Sequence, residues 1–386
     1  MAYWSTITNT ETSVNYCFSI SVFVRKLPTI NNPAVMKLHF IKYLPVFVVP
    51  LVVFCSLSAN NIFSFFALFF IFFLVPAIEL FTDGSARNLD QIEEMAVKED
   101  KVYDYLLYIM VPLQFLLLWY FLNQIGNIYT PFYVKLGMTT AMGISCGVLG
   151  INVAHELGHR SNRFEQLLAK TLLLSSLYMH FFIEHNRGHH KNVATELDPA
   201  SSRYGENVYS FYFRSITDGF LSAWRLEAKR LKKLNKKVLT FENEMIRFQI
   251  IQLSLCFCVF WFVGWAVLLY FISAALFGIL MLETVNYIEH YGLTRQKNGD
   301  YFERTRPMHS WNSNHPLGRL LLFELSRHSD HHFLASRKYQ ILRHHDDSPQ
   351  MPTGYAGMMM LALLPPMWFS VMNRRIKRHR IEGHGS

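Results

Sequence analysis

Residues 164–190 read FEQLLAKTLLLSSLYMHFFIEHNRGHH, an apolar run that ends in three histidines, His185, His189 and His190. How this stretch sits decides the fold. The run 164–183 is about one membrane width long, since a spanning helix takes about 20 residues. A crossing here would put the chain's histidine boxes on opposite faces of the membrane. The run is therefore expected to be a buried or re-entrant helix under the site. On an α-helix, His185 and His189 would share one face, with His190 about 100° further round.

The cluster has company. His155-Glu156-Leu157-Gly158-His159 is an H-x3-H box, and Ser326-Arg327-His328-Ser329-Asp330-His331-His332 is an H-x2-HH box. A single histidine, His290, closes the apolar stretch Asn286-Tyr287-Ile288-Glu289-His290-Tyr291-Gly292. Nine of the 17 histidines thus fall in four groups, each near the end of apolar sequence. Neutral imidazole is the commonest metal-ligating side chain, so the pattern points to a polyhistidine metal centre. HELGH also matches H-E-x-x-H, the zinc-peptidase signature. A zincin needs only one further ligand, whereas this chain offers seven more histidines. The first two boxes supply five nitrogens, and His290 with the last box supplies four. Nine ligands exceed one ion's coordination, so two metals are expected. All-nitrogen ligation disfavours structural zinc and favours redox-active iron with positions open to O2.

The rest of the chain sets this centre in a membrane. Its 386 residues are 51% hydrophobic, with 33 Phe and mean hydropathy +0.15, a membrane-protein composition. Six spanning helices are expected at roughly 40–58, 61–81, 104–123, 131–154, 246–267 and 269–290, the last two meeting near Gly264-Trp265. The short links around Asn60-Asn61, Gln124 to Thr130 and Gly264 carry no Lys or Arg. Basic residues crowd the other connections, including Lys229 to Lys237. All charged segments and all four histidine groups then share one side, the cytoplasm by the positive-inside rule. That rule also accounts for the net charge of +9 without a nucleic-acid partner. The minority reading of Lys229 to Lys237 and Arg374 to Arg380 is a docking face for an acidic electron carrier. Cys17, Cys55, Cys146, Cys256 and Cys258 form no C-x2-C pair and read as small core hydrophobes. Residues 1–35 are polar, lack a signal-peptide pattern and are expected to be disordered or an upstream extension. A hydroxylase domain is expected over 36–376, with 356–371 interfacial around Pro365-Pro366, and a basic tail over 377–386.

Carboxylates accompany every box. Glu156, Glu184, Glu289 and Asp330 are candidates to accept the second N–H of a ligating histidine, each serving a box other than its own neighbour's. Glu283, with Asn286 nearby, lies on or near the face of His290 within an apolar helix, where an ionisable group is costly and functional by default. His180 is ambiguous between core and outer shell. His309, His315, His344, His345, His379 and His384 lack box spacing and are assigned no metal role.

HELGHR (155–160), EHNRGHH (184–190), NYIEHYGL (286–293) and RHSDHH (327–332) resemble the signatures of the integral-membrane alkane 1-monooxygenases. The similarity continues through Tyr339 to Arg343 and Pro365 to Phe369 and covers roughly residues 38–376. Three boxes alone are shared with membrane fatty-acid desaturases, and the NYIEHYGL element favours hydroxylases. Ser326 departs from the family, where Gln more often precedes the Arg of the last box. The resemblance implies an all-α bundle of about six membrane helices in the inner membrane, with its site facing the cytoplasm. It implies two non-haem irons on the nine histidines, O2-dependent terminal hydroxylation of an alkane, and electrons from NAD(P)H through a reductase and rubredoxin. Relatives acting on alkyl-aromatic methyl groups, and fatty-acid desaturases or decarboxylases, share that centre. A zinc protease or a metal transporter would need neither reductant nor O2. The phenylalanines of the second helix (Phe63, Phe65, Phe66, Phe69, Phe70, Phe72 and Phe73) are candidates for a substrate tunnel, with lipid contact the commoner role for most.

Overall fold

The computed structural model describes residues 39–383; the extension 1–35 and His384 lie outside them. The described chain is a helical bundle with a single two-stranded hairpin, Lys297–Asn298 paired with Tyr301–Phe302. Six helices are long and apolar enough to cross a membrane. In chain order the helices that frame the site are α1 (His39–Ser58), α2 (Ile62–Glu79), α3 (Val102–Ile125), α4 (Phe132–Gly158), α5 (Arg163–Ser175), α6 (181–192), α7 (Val208–Lys233), α8 (Glu244–Val263), α9 (Trp265–His290), α10 (His328–Phe333), α11 (Tyr355–Ala362) and α12 (Pro365–Gly383). The membrane-length helices are α1 to α4, α8 and α9.

Local chemistry explains the boundaries. Asn61, Asn162, Asn207 and Asn243 cap α2, α5, α7 and α8, each accepting a hydrogen bond from a first-turn N–H. The soft joint between the last two spans resolves at Gly264, whose φ of 104° breaks the helix there; only glycine takes that conformation without steric cost. The run 164–183 is not among the membrane-length helices. Its helix ends at Ser175, Leu177 turns the chain with φ 51°, and a second helix starts at Phe181. Where one buried or re-entrant helix was expected, the structure has two short helices joined at a turn. The tail bends by 120° between α11 and α12, where Pro365 follows Leu364.

α4 is the central helix, 83% buried in its apolar window, whereas α8 is only 17% buried and faces outward. The approach of α4 to α9 depends on glycine. A Cβ on Gly278 would sit 2.7 Å from the Cys146 Cβ, and one on Gly143 would sit 2.7 Å from the Phe277 Cβ. Small residues let membrane helices pack backbone to backbone. Here that packing brings the ends of α4 and α9, which carry His155, His159 and His290, into one site.

Candidate metal centre

The nine box histidines gather into two groups. His155, His159, His185, His190 and His331 form the first, and His189, His290, His328 and His332 the second. Within each group the candidate ligand atoms lie within 4.8 Å of one another. In the first group the Nε2 atoms form a string of contacts: His159 to His185 at 3.0 Å, His185 to His190 at 3.0 Å, His190 to His331 at 3.1 Å and His331 to His155 at 2.9 Å. In the second, His189 meets His332 at 3.2 Å and His290 meets His328 at 3.2 Å, again through Nε2.

Backbone geometry sorts the members. His185–His189 is a π-helical turn, in which hydrogen bonds run from i to i+5. His185 therefore shares its group with His190, and His189 points into the other. This corrects the α-helical expectation that His185 and His189 share a face. The last box lies on α10, where His328 and His332 stay together at i, i+4 and His331 turns to the first group. The five-and-four count read from the boxes recurs, with His189 and His331 exchanged. A second π-turn, Cys146–Asn152, precedes His155 and sets the phase in which α4 presents its box.

This donor set fits metal ions. A neutral ring nitrogen carries either one proton or one lone pair, and five converging Nε2 atoms cannot be paired off among themselves. A cation accepts every lone pair at once. The rings are held neutral, as ligation requires. Burial, with help from neighbouring rings, pushes His159 down to about 3 and His185, His190, His328, His331 and His332 well below the usual imidazole range. His189 is the exception: burial opposes its charge, but Asp198, with Oδ2 2.8 Å from Nδ1, outweighs burial and raises it.

The five candidate carboxylates take different places. Glu289 touches a box histidine, with Oε2 3.2 Å from His328 Nε2, while its Oε1 accepts from Tyr355 at 2.7 Å. It reaches a box other than its neighbour's, but at Nε2, the nitrogen that also faces His290, and not at the second nitrogen Nδ1, which has no partner among the described residues. Glu156 binds Arg160 at 2.7 Å and the Tyr339 amide at 3.1 Å. Asp330 is held by Arg337 at 3.0 Å, by His345 at 2.7 Å and by the Arg343 amide at 2.9 Å. Glu283 accepts from Tyr178, Ser215 and Asn286. Glu184 is buried beside Gly188. The partner that sequence reasoning missed is Asp198, nine residues after His189 in Thr195-Glu196-Leu197-Asp198-Pro199. Its signal was a lone acid before proline in a polar loop. His180 lines a small buried chamber. His309 contacts Glu303, His315 contacts Ser313, and His344 contacts Asn314 and Asp346, all away from the two groups.

An apolar cavity reaches the centre. Aliphatic side chains from α1, α2, α4, α9 and α11 wall it, among them Val49, Val75, Val148, Leu282, Val285 and Met359. His155, His185, His328 and Glu289 also line it. From α2 the wall takes Ile71 and Val75, and none of the seven phenylalanines considered for the tunnel. Phe63, Phe69 and Phe73 are instead exposed on the outer surface.

Comparison with known proteins agrees with this geometry. The fatty acid desaturase family profile matches residues 129–362, well over half of the chain. Alkane 1-monooxygenase 1 of Pseudomonas aeruginosa is 46% identical over 246 residues, which are 64% of this chain and 64% of that protein. Alkane 1-monooxygenase 2 of the same organism is 38% identical over 353 residues, 88% of this chain and 92% of its own length. The xylene/toluene monooxygenase hydroxylase component XylM of Pseudomonas putida is 28% identical over 226 residues, 58% of this chain and 60% of its own. The chain thus spans just under two thirds of the first relative and nearly all of the second. A central glycine-packed helix pair, six membrane-length helices and two histidine groups are the frame on which these similarities fall, and the chain belongs to the fatty acid desaturase family, in its alkane 1-monooxygenase branch.

Proposed function

We propose that this protein is a multi-pass membrane monooxygenase that hydroxylates the terminal carbon of an alkane. The balance is RCH3 + O2 + 2 e⁻ + 2 H⁺ → RCH2OH + H2O. The observation that carries the reading is the apolar cavity that His155, His185 and His328, from the two histidine groups, help to line. The nine histidines are the proposed ligands of two non-haem irons, and bound iron supplies the activation of O2 needed to attack an unactivated C–H bond. The protein's own part is to seat the chain and exclude water. Aliphatic walls remove about 25 cal/mol per Å² of apolar ligand surface from water and leave the methyl end against His155 and His328. The aliphatic character of that wall favours a linear alkane over the alkyl-aromatic substrates named for XylM, the runner-up. A desaturase or decarboxylase acting on fatty acids is the remaining alternative on the same scaffold.

The two electrons come, in this reading, from NAD(P)H through a reductase and rubredoxin, since the chain has no C-x2-C pair to hold a carrier's iron. The basic connections support a site on the cytoplasmic side of the inner membrane, and residues 36–376 are the proposed catalytic domain. The test is metal analysis and product analysis on purified protein given octane, O2, NADH, rubredoxin and its reductase. About two irons per chain with 1-octanol formed supports the proposal. Two irons without alcohol moves the substrate to alkyl-aromatics or fatty acids, and one zinc without O2 uptake overturns it.

A further inference from the structure

A second chamber shares His185 in its wall with the alkane cavity. It carries the polar groups of Tyr178, His180, Glu184, Ser215 and Glu283, beside Gly219 and the apolar Pro199 and Ala200. Phe181, His185 and Asn286 line both chambers and form the partition between them. The chamber offers about 20 Å³ to the centre of a water-sized sphere, where about 10–15 Å³ suffices for one water. It also offers partners for that water. His180 Nε2 and Glu184 Oε1 are buried and have no hydrogen-bond partner among the described residues, with 7% and 6% of their residues exposed. A buried polar atom left unpaired costs about 1–3 kcal/mol, and a water in the chamber would give them a partner. Beside them Glu283 accepts from Tyr178 at 3.0 Å, from Asn286 at 3.3 Å and from Ser215.

Monooxygenation consumes two protons and releases one water for each alcohol, and an aliphatic cavity conducts neither. We propose that the polar chamber binds water and is the proton port of the site, with Glu283 passing protons through that water across the His185–Asn286 partition. The inference rests on the monooxygenase reading. Protons enter from bulk solvent, and the electrons are those of the overall reaction. The ionisable groups around Glu283 are Tyr178, His180 and Glu184 at the chamber wall, with His189 beyond.

Two variants test this. Glu283→Gln keeps the shape and one acceptor oxygen, turns the other acceptor into an amide donor, and has no carboxyl group to carry a proton. Gly219→Ala touches no polar group; its new methyl would meet only Glu184 Cγ, at 4.0 Å, and takes the space of the water. With iron content at the native level, both are expected to lower kcat, Glu283→Gln by about 100-fold, the scale of a lost proton-transfer group. KM for the alkane should stay unchanged, and the D2O effect on kcat should rise. Native kcat and native D2O effect in both variants would overturn the port, as would parallel changes in kcat and KM with an unchanged D2O effect. The water itself is read without turnover, as ordered density in the chamber of the native protein that disappears in Gly219→Ala. Its absence from the native protein overturns the port even if alcohol forms. Failure of the native protein to oxidise any alkane overturns the activity and leaves the water site to stand or fall on the density.

Discussion

Asp198 Oδ2 lies 2.8 Å from His189 Nδ1, and both side chains are fully buried. The contact assigns the ring's proton to Nδ1 and leaves Nε2 free to face His332. A carboxylate in this position fixes the tautomer of a ligating histidine and raises its basicity. The Ser201 hydroxyl donates to the same oxygen, and the Ala200 amide donates to Oδ1 at 3.1 Å.

Replacing that carboxylate should therefore weaken one metal position selectively. Asp198→Asn is expected to lower affinity for the metal of the second group by about 10–100-fold while the first group stays loaded. Iron retained after dialysis against a graded chelator series reads the difference. Equal loss from both positions would argue against Asp198 acting through His189.

The partition of the histidines makes a paired prediction. His190→Ala removes a donor from the first group and His332→Ala one from the second. Each should abolish alcohol formation and leave about half the native iron, because each strips its own group. Mössbauer spectra of the two variants should differ, each keeping the signal that the other loses. Activity retained in both variants would sink the site assignment.

Packing of the central pair gives a structural test. Gly278→Ala forces a Cβ to 2.7 Å from the Cys146 Cβ and 2.9 Å from the Gly147 N, both on α4. Overpacking of this kind costs about 1–3 kcal/mol. A lower melting temperature in detergent is expected, together with lower iron content, since α4 and α9 carry three of the ligands. An unchanged melting temperature would show that the two helices have slack at this crossing.

Acid stability depends on Glu324. It is buried against Arg319, Arg327 and Lys42 and accepts from Tyr43 at 3.1 Å. Burial opposes its charge, but Arg319 foremost, with Lys42 and Arg327, holds the carboxylate down at about 2. A depressed carboxylate stabilises fully above its unfolded value, about 4.3, and that contribution is lost as pH falls towards 2. Glu324→Gln should cost about 3–5 kcal/mol near neutral pH, as breaking a buried ion pair does. Its deficit relative to the native protein should shrink below about pH 4 in thermal melts. A deficit independent of pH would mean that shape, not charge, is what Glu324 supplies.

Much of this protein is legible from its sequence, and the reason is local. Six apolar segments announce themselves because a bilayer demands uninterrupted length, and nine histidines stand out because a metal centre demands that one residue type at close spacing. Gly264 was a soft joint in the sequence for the same reason that it is a break in the structure: no side chain resists the turn. That 164–183 is not one membrane-length helix agrees with the requirement that all boxes share one side.

What the sequence could not decide was which histidine stands with which. That depends on the hydrogen-bond register of a single turn. An α-turn would join His185 to His189, whereas the π-turn at 185–189 joins His185 to His190 and sends His189 to the second group. It also depends on contacts between residues far apart in the chain, such as His155 with His331, 176 positions away. The same holds for Asp198 behind His189 and for the water-sized chamber beside His185, each assembled from segments whose spacing carries no period. Periodicity reports a helix's own faces, while the packing of α4 against α9 and the fold of the loop around Asp198 decide what those faces meet.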